Sequence, residues 1–228
     1  MYIAVLLVIV IIIFFGPRMW ANYIMKNYSR EIDTFPGTGG ELTRHLLKKF
    51  DLADVKLEKS DCQENHYDPD ERTIRLADNI HDGKSMTAIV VCAHEVGHAI
   101  QHKYGYRPFF LRLYLARSIA HTEKVAAMLL VVFPVVAVLT RIPALGLLLF
   151  IAGVGSLLIP VLFHLLTLPV EWDASFRRAL PILITGEYIP QSGIPAAKKI
   201  LRAAALTYVA ASLASVFNFY RWIAILRR

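Results

Sequence analysis

At 228 residues the chain has room for one modest domain plus membrane segments. With 56% hydrophobic residues and a positive mean hydropathy it is too apolar for an ordinary soluble enzyme. The net charge of +7 raises nucleic acid as a partner. The basic residues instead flank apolar runs, as membrane anchors do, and no basic stripe with interleaved aromatics accompanies them, so nucleic acid is excluded.

Residues 1–16 read as an N-terminal membrane anchor. Residues 2–15 are continuously apolar and end at Gly16-Pro17-Arg18, with no charged stretch before them and no small-residue cleavage site after them. An uncleaved anchor fits better than a signal peptide. The run is short for a span, and Trp20 and Tyr23 extend it into the interface. Residues 17–124 are the most polar part and form one expected region. A helix is predicted around Gly40–Phe50, and a short strand at Thr73–Leu76 follows the Asp68-Pro69 turn, with Lys56–Lys59 as its partner. Gly83 and Ser85 then read as a turn and an N-cap. The run from Met86 to Ala93 leads onward as a buried helix that Gly105 stops.

That helix carries His94-Glu95-Val96-Gly97-His98, an HExxH pattern. Positions i and i+4 lie on one helix face about 5–6 Å apart, so His94 and His98 can present two imidazoles to one tetrahedral zinc. Glu95 projects beside that edge, where a carboxylate can take a proton from an attacking water. His102 continues the series, but eight residues of helix span about 12 Å, too far for His94 and His102 to share an ion. It reads as a polar residue at the helix end. Cys62 and Cys92 form no CxxC pair. Helix geometry turns Cys92 away from the metal face, and both read as buried or idle thiols, a disulfide being unusual in a cytoplasmic region.

Residues 125–168 read as a transmembrane hairpin: two apolar runs, 125–140 and 145–168, separated by Arg141-Ile142-Pro143. Pro134 and Pro160 are tolerated kinks, and His164 is a packing residue. Residues 169–202 return to mixed polarity, and 203–228 form a C-terminal apolar segment that either spans or lies at the interface. If 125–168 cross twice, His94 and residue 171 return to the same side. Arg18, Lys26 and Arg30 put that side in the cytoplasm. The expected architecture is a mainly α membrane protein with a small β-sheet and about four hydrophobic membrane segments.

The third ligand separates the zinc-protease classes. Gln101 and Tyr104 stand where a metzincin needs Gly and His, and no Asp-Gly pair follows the motif, which disfavours the site-two intramembrane class. A carboxylate on a later helix remains. Glu123 suits a solvated interface and Glu187 a loop. Glu171 opens a helix whose first turn holds Pro169, and Ala174 leaves space for close packing. Glu171 is therefore the preferred third ligand. Asp173 is the fallback, although an acid in a first turn often serves the helix dipole alone.

The pieces His66-Tyr-Asp-Pro, Thr73-Ile-Arg-Leu76, His94-Glu-Val-Gly-His-Ala-Ile-Gln-His102 and Leu168-Pro-Val-Glu-Trp-Asp-Ala174 resemble, in this order, the YugP-type neutral zinc metallopeptidases of bacterial membranes. More distantly the chain is similar to the HtpX and CAAX-prenyl-protease group, gluzincins whose third ligand is the Glu of a Glu-x-x-Ala-Asp helix. Ser175 stands where that group has Asp. This departure touches the hydrogen bonding behind the ligands and not the ligand itself. The resemblance implies a multi-pass protein of the bacterial cell membrane, with one zinc ion per chain.

These readings together imply a membrane-embedded zinc endopeptidase with Glu95 as general base and a protein or peptide substrate near the lipid. A membrane-protein partner or homo-oligomer is also compatible. For the oxyanion the residues nominate Arg177, Tyr104 or His121. The strand Thr73, Ile74, Arg75, Leu76 is a candidate edge for binding an extended substrate. The rival reading is a non-proteolytic, zinc-stabilised membrane scaffold or a subunit modulating a partner, for which Glu95 would be dispensable.

Overall fold

The computed structural model describes residues 16–117 and 165–216, with single positions between them at 132, 142, 144, 147, 148, 151 and 163. Helix α1 covers residues 16–27. Helix α2, Gly39–Lys49, starts with a capping box in which the Thr38 hydroxyl accepts from the Glu41 N–H and the Glu41 carboxylate accepts from the Thr38 N–H. It falls where a helix is expected. Strands β1 (Lys56–Lys59), β2 (His66–Asp68) and β3 (Thr73–Leu76) form one sheet in the order β1-β3-β2. Lys56–Lys59 does pair with Thr73–Leu76, in parallel, and β2 pairs with it antiparallel. Thr73–Leu76 is therefore the central strand, with ladder partners on both sides. The expectation that it forms a sheet edge is corrected: β1 and β2 hold the edges.

A short helix α3 (Asp78–His81) leads to α4 (Met86–Lys103). The Ser85 hydroxyl caps α4 by accepting from the Ala88 N–H. Gly105, at φ +65°, takes the left-handed conformation that ends it. Every residue from Met86 to Gln101 is buried, as expected of a helix that is apolar on all sides. Around it pack α2, α3, the sheet and the C-terminal elements. Those elements are α5 (107–117), α6 (165–172), α7 (Leu180–Thr185) and α8 (Ile194–Val216). Between α6 and α7 the backbone widens into a π-helical stretch, Asp173–Ala179. Helix α6 is already running at residue 165, so Pro169 lies inside it and Glu171 does not open a helix.

The expectation of about four membrane segments is also corrected. Among the described residues no helix is long and apolar enough to cross a membrane. The two longest helices show the physical reason. Helix α4 carries His94, Glu95, His98, Gln101, His102 and Lys103 and is enclosed by protein, while α8 carries Lys198, Lys199 and Arg202 in its first half. Helix α8 also runs without a break across the expected boundary at residue 203. The runs 2–15 and 125–140, most of 145–168, His164 and residues 217–228 lie outside the described residues.

A close backbone approach onto α4 occurs at Gly97. A Cβ built there would sit 2.8 Å from the Ala174 carbonyl oxygen in the π-helical stretch. The space expected beside Ala174 is thus filled by the glycine inside the HExxH pattern. Gly97→Val forces the two helices apart and should lower unfolding stability by about 1–3 kcal/mol, read as a shift of the denaturant midpoint without a change in slope. An unshifted midpoint would refute this packing.

Candidate metal centre

Helix α4 places His94 and His98 one turn apart, and the Gly97–Ala174 contact brings residue 171 against both. One ligand atom each from His94, His98 and Glu171 lies within 4.8 Å of the other two, and all three residues are buried. Glu171 Oε2 stands 3.2 Å from His94 Nε2 and 3.4 Å from His98 Nε2. Glu171 is fully buried and its Oε2 has no hydrogen-bond partner. A buried carboxylate oxygen with no donor is costly, and two imidazole nitrogens converge on it. Such a cluster fits a cation. Imidazole and carboxylate together form the donor set of a catalytic zinc site.

The outward atoms of these side chains are engaged. His94 Nδ1 lies 3.1 Å from Ser175 Oγ and His98 Nδ1 lies 2.9 Å from Gln101 Oε1. With each Nδ1 donating to its oxygen, both Nε2 lone pairs point toward the cluster. Gln101, fully buried, donates from Nε2 to the Val170 carbonyl at 2.8 Å and to Asp173 Oδ2 at 2.9 Å. Arg178 Nε donates to the same Asp173 oxygen at 2.7 Å. Asp173 is thus committed to Gln101 and Arg178 and stands outside the three-residue cluster. Arg112, on α5, donates to Glu171 Oε1 at 2.7 Å, fixing one carboxylate oxygen and leaving the other to the imidazoles. Burial alone would raise the Glu171 carboxyl, but positive charge on its His98 and His94 side outweighs that and holds the carboxyl well below the ordinary range. A cation in that place stabilises the same carboxylate.

Glu95 lies beside this cluster and is not part of it. Burial, with the negative charge of Glu171, pushes its carboxyl up to about 7 against the pull of His94, Arg112 and a hydrogen bond from the Tyr67 backbone N–H. It faces two cavities. The larger, about 550 Å³, also includes His94; the smaller, about 70 Å³, also includes His98 and Arg112.

Of the residues nominated for the oxyanion, Tyr104 is exposed at the end of α4, and Arg177 lines a separate cavity with Trp172 and Asp173. Neither lines the two cavities that contain Glu95. His121 and Glu123 lie outside the described residues. His102 pairs its Nδ1 with the Tyr67 hydroxyl at 2.8 Å, and Glu187 sits in a turn at φ +54°. Cys92 is buried, which pushes its thiol up to about 12, and Cys62 is exposed. Sequence reasoning missed Arg112, whose only signal is a basic residue in the helix following the motif. It also missed Gln101 as a partner of His98, although the three-residue spacing on one helix offered a clue.

No solved structure matches the chain. A curated relative from Bacillus subtilis (strain 168), named "Putative membrane protease YugP", is 36% identical over 215 residues, covering 92% of this chain and 92% of the relative. Residues 3–227 match a family described as "Putative neutral zinc metallopeptidase". With that match running almost from end to end, the chain belongs to this family of neutral zinc metallopeptidases.

Proposed function

We propose that the chain is a zinc-dependent endopeptidase holding one zinc ion between His94, His98 and Glu171. The observation that carries this reading is Glu171 Oε2, a buried carboxylate oxygen with no donor and two imidazole nitrogens within 3.4 Å. A zinc ion there supplies a Lewis acid that polarises the scissile carbonyl and lowers the pKa of a water toward neutrality. Glu95 takes the proton from the attacking water and passes it to the leaving amine. Burial and Glu171 push its carboxyl up to about 7, and a cation between the ligands would draw it back toward the carboxylate that serves as base. Arg112 lines the small cavity with Glu95 and His98. A guanidinium there is suited to stabilising negative charge developing on the carbonyl oxygen.

Strand β2 is the sheet edge beside the site, and its Tyr67 N–H reaches Glu95. An extended protein or peptide substrate adding to β2 would cross the metal centre. The relative is named a membrane protease, and a membrane-surface setting fits α1, where exposed Met19, Trp20 and Tyr23 sit among Arg18 and Lys26. Basic and aromatic residues together favour the anionic cytoplasmic leaflet. Substrates close to that surface, including membrane proteins, follow from this placement. Against the scaffold reading, Glu95 is held beside three ligands and faces two cavities, where a structural zinc site would be closed.

Elemental mass spectrometry of the purified full chain should find near-stoichiometric zinc, and Glu171→Ala should lose most of it. Zinc retained by that variant would sink the three-ligand site. Glu95→Gln should keep its zinc while turnover falls by about 10²–10⁴-fold; unchanged function in that variant would favour a scaffold. Gln101→Ala frees His98 Nδ1, so zinc affinity by chelator competition should weaken by about 10–100-fold. An unchanged affinity would mean that Gln101 serves only the helix packing.

A further inference from the structure

The two cavities beside Glu95 share Glu95 itself and Asn65 as lining residues. Asn65 directly precedes β2, and its Oδ1 accepts from the Ala77 N–H at 2.9 Å. That bond fixes the carboxamide and leaves the Nδ2 donors to face a bound chain. The scissile bond therefore belongs at the boundary between the cavities. The substrate on one side of it occupies the cavity of about 550 Å³, and on the other side that of about 70 Å³.

The larger cavity has a one-sided charge. Apart from His94 and Glu95, which belong to the metal centre, its one charged lining residue is Lys26. Lys26 is exposed, and among the described residues no carboxylate pairs with it. Asn22, one turn before Lys26 on α1, lines the same space, as do Asn65 and Asn79. Asp78, next to Asn79, does not line it: its carboxylate accepts from Gln63 Nε2 at 2.8 Å and lies 3.8 Å from Lys59 Nζ. The two helices that wall the cavity beside α4 carry Arg18 and Lys26 on α1, and Lys198, Lys199 and Arg202 on α8, with no acid on either. A side-chain carboxylate entering here meets an ammonium and amide donors, whereas an ammonium or guanidinium meets like charge.

The direction follows from the strand. Gln63 and Asn65, at the entry to β2, line the large cavity, while Tyr67 and Pro69, further along, line the small one. A substrate strand pairing antiparallel with β2 runs the opposite way, so its carboxy-terminal part lies over the large cavity. Antiparallel pairing is the more stable form per residue.

Resting on the peptidase reading above, we infer that the enzyme prefers substrates with Asp or Glu in the first few residues after the cut, and that Lys26 sets this preference. The ion pair forms at an exposed rim, so it selects among substrates and weakens as salt rises.

Digestion of a random decapeptide mixture by the zinc-loaded full chain at low salt, with cleavage points located by mass spectrometry, tests this. Asp and Glu should be enriched over Lys and Arg after the cut by at least about threefold. Cleavage without charge preference would overturn the inference, as would an acidic preference confined to the residues before the cut. Absence of cleavage by a chain shown to hold zinc would overturn the peptidase reading itself, and the inference with it. Two variants, each checked for zinc content and melting temperature, make the assignment specific. Lys26→Ala should flatten the preference, and Lys26→Glu should reverse it toward Lys and Arg. A folded, zinc-bound Lys26→Glu chain that keeps the wild-type profile would overturn the role given to Lys26.

Discussion

A carboxylate removed entirely from water organises this molecule. Glu171 has no exposed surface, and an unpaired charge there would cost several kcal/mol. Arg112 answers that cost on one oxygen, while His94 and His98 converge on the other, which has no donor. These side chains come from α4 and α5, far from Glu171 in the sequence. Each helix must sit where it does for the charge to be tolerated. One constraint is the meeting of Gly97 with the Ala174 carbonyl, where a side chain at position 97 would lift the carboxylate away from the imidazoles.

Much of this was legible in the residues. The His94/His98 pair follows from helical periodicity, since one face and one turn are enough to define it. The Ser85 cap, the Gly105 stop and the pairing of Lys56–Lys59 with Thr73–Leu76 were accessible in the same way, because turn and cap chemistry is local. Glu171 was reached by eliminating other acids, and the structure brings it to the histidines. The sheet order was not legible: two short strands separated in sequence do not reveal that β2 will take the outer place. The π-helical widening at Asp173–Ala179 also has no sequence period to announce it. It places Asp173 toward Gln101 and Arg178 while Ser175 faces His94. A regular helix pattern offers no way to foresee that division of roles. Of the runs read as spans, the described part of the last one belongs to α8, which carries Lys198, Lys199 and Arg202 in its first half, while the others lie almost wholly outside the described residues.

Having serine and not a carboxylate at position 175 would have an electrostatic consequence for a cation held between the ligands. Glu95, Glu171 and Asp173 supply three carboxylates in or beside the cluster, against the guanidiniums of Arg112 and Arg178. With neutral histidines the cluster carries a single surplus negative charge, and a divalent cation turns it into a single surplus positive one. An aspartate at 175 would cancel that surplus. Serine instead orients His94 through a neutral hydroxyl at 3.1 Å. The positive surplus remains, in a low-dielectric site, to act on whatever negative charge arises there. In the resting state that charge is the Glu95 carboxylate, which burial and Glu171 would otherwise keep protonated up to about pH 7. Under the proposed function it would be the oxyanion developing at the scissile carbonyl. The orienting work that a carboxylate behind His94 would do is carried here behind His98, where Gln101 relays the fixed Asp173–Arg178 pair to the ring nitrogen. The charged pair is thereby kept one hydrogen bond away from the ligands, so it stiffens the site without neutralising it.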